Sequence, residues 1–129
     1  MRKLTIVVLA LLAMNTLMYA KDYEVTKQAG PYSVKVVLYK NPPVVGDNTV
    51  TVAVKDAAGK AVTDVGVRLD YSMPAMPGMP AMRYTAPTTL QGQVYTGKMS
   101  FSMPGAWNVK VGIMSRGGTY SIKFNADVQ

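Results

Sequence analysis

The stretch Ser72-Met73-Pro74-Ala75-Met76-Pro77-Gly78-Met79-Pro80-Ala81-Met82 places a thioether at every third residue, with a proline after each of the first three methionines. It holds four of the chain's ten methionines. A thioether sulfur is a soft, uncharged donor that selects Cu(I) over hard cations. It binds without losing a proton, whereas thiol and imidazole ligands must be deprotonated first. Met73, Met76, Met79 and Met82 are therefore candidate ligands for Cu(I) or Ag(I). No Leu, Ile or Val stands at any of the four positions, although a packing role tolerates such swaps. The competing reading keeps the metal out. Methionine also makes adaptable contact surfaces, so the run could dock another protein instead.

The backbone of this stretch is constrained by its prolines. Pro74, Pro77 and Pro80 lack an N–H and clash with a preceding helical turn, which excludes a helix. Each also removes a ladder donor, which excludes an interior strand. On a straight polyproline-II rod the four sulfurs would line one face roughly 9 Å apart, too far for neighbours to share an ion. Pro77-Gly78, however, carries the type II turn signature, Pro at the second position and Gly at the third. A turn over Met76–Met79 would bring those two residues together and fold Met73 back towards Met82.

Composition narrows the chemistry further. The 129 residues include no Cys, so disulfides, thiolate zinc sites and thiol nucleophiles are excluded. They include no His, which removes the usual general base and the commonest metal ligand. The seven acidic residues are scattered singly, and no phosphate-binding glycine loop or serine elbow is present. The expectation is a protein that is not an enzyme.

Residues 1–20 read as a secretory signal peptide, with Arg2-Lys3 as the basic start, Leu4–Leu12 as the apolar core and cleavage after Ala20. An uncleaved N-terminal anchor is the alternative, although Asn15 and Thr16 interrupt a segment already short of a full span. Either way the domain, residues 21–129, is expected in the periplasm or cell envelope. Removing Arg2 and Lys3 with the leader takes the formal net charge from +7 to +5. The remaining cations, among them Lys35, Lys55, Lys98, Lys110 and Lys123, fall one per strand without a basic run. That pattern argues against nucleic acid and leaves only weak attraction to anionic lipid headgroups.

Strand signals fill the rest. Tyr32–Leu38, Val50–Lys55, Val65–Tyr71, Gln93–Met103, Trp107–Ile113 and Tyr120–Ala126 alternate apolar and polar residues. A short strand over Arg83–Ala86 is expected to end at Pro87, and Lys21–Pro31 to form a loose arm or an edge strand. Asp56–Lys60 and Gly117-Gly118 supply hairpin-type turns. No helical period appears after the leader. The pattern predicts an all-β, immunoglobulin-like β-sandwich of about seven antiparallel strands. Trp107, Met99 and Met103 read as core, with a lid over a bound cation and a ligand role as the alternatives for Trp107 and Met103. Met114 lies near a strand end with its role open.

Three stretches together resemble a known family: Asn41–Val50 leading to Lys55-Asp-Ala-Ala-Gly59-Lys60, the Tyr71–Met79 loop, and Gly97-Lys-Met99-Ser-Phe-Ser-Met103-Pro-Gly105-Ala-Trp107. From about Pro31 onward the chain resembles the YtkA-like domain, similar to the FixH-like exported or membrane-tethered modules. The resemblance implies a small immunoglobulin-like domain of the envelope, found alone or alongside copper and heavy-metal efflux and cytochrome-oxidase assembly systems. It implies an envelope protein partner, such as an efflux adaptor or an oxidase assembly factor. Family members often carry His beside the methionine loop. None is present here, which leaves a thioether Cu(I) site through Met73, Met76, Met79 and Met82 as the implied chemistry.

Overall fold

Period-two alternation puts every second side chain on one face of a strand, and in this chain those side chains are Val, Leu, Ile, Phe, Tyr, Trp and Met. The computed structural model describes residues 23–40 and 43–129. The expected leader over residues 1–20 and its cut after Ala20 lie outside them, as does Pro42. Eight strands follow one another: β1 (Tyr23–Ala29), β2 (Tyr32–Leu38), β3 (Gly46–Lys55), β4 (Gly66–Met73), β5 (Met82–Gln91), β6 (Val94–Phe101), β7 (Gly105–Ser115) and β8 (Gly118–Val128). All pairings are antiparallel, in the spatial order β1-β2-β3-β6-β5-β4-β7-β8. The all-β sandwich expectation holds, with eight strands in place of about seven. The added one is β1, which pairs with β2 along its whole length as an edge strand.

One strand joins the two layers. Residues Met82–Pro87 of β5 pair with β4, and Thr88–Gln91 pair with β6. Pro87 therefore does not end the strand, as its missing donor suggested; it stands where the strand leaves one layer for the other. There the backbones crowd, because a Cβ on Gly97 would lie 3.0 Å from both the Pro87 carbonyl oxygen and Leu69 Cδ1. Glycine is the residue that permits such an approach. The sheet is nearly closed at its other end. Tyr23 Oη donates to the Asn125 carbonyl at 2.9 Å, and Lys27 Nζ donates to the Lys123 carbonyl at 2.7 Å. Side chains thus bridge β1 to β8 where backbone ladders do not.

The Asp56–Lys60 turn forms as expected, capped by Asp56 Oδ1, which accepts from the amides of Ala58 and Lys60. It does not join two strands of one sheet, however. After the single Lys55–Ala61 bridge, the chain crosses to the other layer and becomes β4.

The core is a single cluster. Val34, Val36 and Leu38 of β2 face Val50, Val52 and Val54 of β3, and the opposite layer supplies Leu69, Val111, Ile113 and Ile122. Each such side chain contributes about 1.5–3 kcal/mol by leaving water. Asn48 is the one buried polar side chain among the described residues. Its Oδ1 accepts from Val44 N at 3.1 Å, and its Nδ2 donates to the carbonyls of Val44 and Gly46. The turn before β3 is thereby fixed from inside.

Candidate functional site

The methionine stretch forms a hairpin that extends β4 and β5 beyond the body of the sandwich. Met73 and Met82 are Cα partners at the end of the β4–β5 ladder. Beyond them Pro74 and Pro80 interrupt regular pairing, and the chain closes at an isolated bridge between Met76 and Met79. Each of these two donates its amide to the other's carbonyl, at 3.0 and 2.8 Å. Gly78 adopts φ +80°, the value that the third position of a type II turn demands. The turn predicted from Pro77-Gly78 is formed, and Met73 is folded back to Met82. In a pair that exchanges both hydrogen bonds the Cα atoms sit about 5.5 Å apart, so the Met76 and Met79 side chains start close enough to share one ion.

The four methionines nonetheless occupy different environments. Met76 and Met79, at the tip, are 43% and 38% exposed. Met82 is half-buried, and its Sδ accepts from Ser102 Oγ at 3.5 Å. Met73 is only 3% exposed. Its Cε lies 3.0 Å from where a Cβ on Gly105 would stand, so it packs beneath the turn between β6 and β7. The hairpin brings together two solvent-facing thioethers, a third at the rim and a fourth in the core.

That neighbouring turn carries Met103, which is half-buried against the core. Met103 also accepts, through its carbonyl, a hydrogen bond from Trp107 Nε1 at 3.0 Å. Trp107 is fully enclosed. Its ring lies 5.2 Å from Phe101, 6.0 Å from Tyr71 and 6.0 Å from Tyr84. The core role is the one it fills, and it offers no open face to a cation. Met99 is likewise fully buried. Met114 pairs with Gly66, at the end of β4 opposite to Met73, and stands apart from the hairpin.

Two residues of this region were not singled out from the sequence. Tyr84 lies two positions after Met82 on the same strand, is 39% exposed, and stacks on Tyr71 at 5.5 Å. Its hydroxyl donates to Ser102 Oγ, and Ser102 Oγ in turn donates to Met82 Sδ. Strand parity with Met82 was the signal for Tyr84. Nothing local marked Ser102, which meets Met82 only through the packing of two turns. Tyr71 completes the support, since its hydroxyl accepts from the Ser100 amide at 3.1 Å.

The hairpin offers thioether sulfurs as potential donors. Among the described residues no three His, Cys, Asp or Glu side chains gather in a group that could hold an ion. Thioethers at the hairpin are the donors that remain, and they prefer soft ions.

No curated protein matches the chain. The model of the YtkA-like family matches residues 26–112, from within β1 to within β7, which is more than half of the 129 residues. The matched stretch includes the whole methionine hairpin and the aromatic cluster beneath it. The chain belongs to the YtkA-like family.

Proposed function

We propose that this protein is a non-enzymatic envelope domain, periplasmic or tethered by its N-terminus, that holds Cu(I) or Ag(I) transiently on the methionine hairpin. The ion is cargo, passed to an envelope partner such as an efflux adaptor or an oxidase assembly factor. The observation that supports this reading is the closed Met76–Met79 bridge, which presents two exposed thioethers side by side on a turned backbone. Met82 stands at the rim as the third donor, and Met73 can join only from the core side. Neutral sulfur donors suit transfer, because their affinity rests on softness without the charge of a thiolate.

A second reading rests on the same exposure. Two large apolar side chains at the tip of a protruding hairpin also suit docking to another protein without metal. One experiment separates the readings: anaerobic Cu(I) titration of residues 21–129 against a competing chromophoric chelator, with the M76L/M79L double variant beside it. A stoichiometric site lost in the variant is the expected result, because Leu keeps the bulk and removes the sulfur. Absence of competition at every chelator strength would overturn the metal reading and leave the docking surface.

A further inference from the structure

The outer face of the β5-β4-β7-β8 layer gathers charge that is spread evenly along the sequence. Lys110 and Lys123 are direct cross-strand partners on β7 and β8, and both are exposed. Like charges placed opposite one another destabilise a sheet. The only acid on the same rung is Asp70, the partner of Lys110 on β4. Its carboxylate is already engaged: Oδ2 by Arg68 of the same strand at 3.3 Å and Oδ1 by Thr85 Oγ1 of β5 at 2.8 Å. Among the described residues neither Lys110, Lys123 nor Arg83 takes part in an ion pair.

The adjacent rung runs Arg83, Ser72, Asn108, Asn125 across the four strands. It sets two amides beside the lysine pair and a third cation on β5. These two rungs line a recess of about 710 Å³. Neighbouring strands are about 4.8 Å apart, so the two ammonium groups can reach one tetrahedral oxyanion from either side while Asn108 and Asn125 donate to it. Lysine is suited to that task, acting as a point charge on phosphate.

We infer that this recess is an anion-binding site that takes a phosphate group between Lys110 and Lys123, with further negative charge directed towards Arg83. It lies on the outer sheet face and uses none of the hairpin methionines. Phosphate chemistry reaches an envelope protein either as a soluble phosphate ester or as a phospholipid headgroup, and the experiment tells the two apart. Residues 21–129 contain all eight strands and the whole described core, so this unit is suitable for the test.

The measurement is a titration with inorganic pyrophosphate, followed by amide chemical shifts and thermal melting, for the wild type and the K110Q/K123Q variant. Saturable shifts confined to the two rungs are expected, together with a rise in Tm that the variant does not show. The variant should bind at least about tenfold more weakly, since two charge contacts are lost. Without ligand it should melt no lower than the wild type, because a like-charge pair has been removed. In a second arm, phosphatidylglycerol vesicles that bind through the same residues and are displaced by pyrophosphate identify the headgroup as the source. Pyrophosphate binding without vesicle binding identifies a soluble ester. Shifts spread equally over Lys35, Lys55 and Lys60, or no saturable shift with either probe, would overturn the site.

Discussion

Chemically identical side chains differ here in what surrounds them. Met73 is enclosed against Gly105 in the core, whereas Met79 stands in solvent three residues before Met82. Truncating a buried methionine removes transfer free energy and leaves a cavity, so Met73→Ala should cost about 2–5 kcal/mol. Met79→Ala removes a solvent-facing side chain and should stay within about 0.5 kcal/mol. Urea denaturation of the two variants measures both. Equal losses would contradict the placement of Met73. The same contrast orders oxidation: sulfoxide should form at Met76 and Met79 well before Met73 or Met99, because peroxide must reach the sulfur. The candidate ligands were legible in the sequence because proline spacing is local. Their inequality was not, because it comes from the β6–β7 turn that covers one of them.

At the scale of the element, the hairpin depends on a single backbone conformation. Gly78 sits at φ +80°, with nothing within 4 Å of the place where a Cβ would stand. A side chain there meets no steric neighbour, so the whole cost of Gly78→Val is conformational, about 1–2 kcal/mol for a left-handed backbone. A tip remote from the core can relieve that strain by opening. The expected outcome is loss of hydrogen-exchange protection at the Met76 and Met79 amides and weaker Cu(I) binding, with Tm nearly unchanged. Full protection in this variant would show that the turn does not depend on glycine. This turn was readable from Pro77-Gly78 alone. The path of β5 was not, since Pro87 reads locally as a strand end and only the second layer supplies partners for Thr88–Gln91.

For the whole molecule, the absence of His and Cys has a consequence for pH. Thioethers do not titrate in the accessible range, so Cu(I) affinity at the hairpin should be flat between about pH 5 and pH 8. Affinity that falls with acidification would point to a titrating ligand and away from the methionines. Anion binding in the β5-β4-β7-β8 recess should weaken steeply with added salt, because exposed charges are screened. Cu(I) binding by neutral sulfur should not follow it. The two proposed binding activities are therefore separable in one pair of titrations.

Strand identity, the all-β class and the turned methionine hairpin follow from the sequence by itself, because alternation, proline and glycine act over a few residues. Val34–Leu38, Val50–Val54 and Pro77-Gly78 carry that information in their own order. What only the tertiary structure decided is which strands become neighbours. That choice buried Met73, set Ser102 and Tyr84 beside Met82, and turned Lys110 and Lys123 from isolated strand lysines into a facing pair. Contacts between residues distant in the chain arise from the burial of two apolar faces against each other, and no local pattern encodes them.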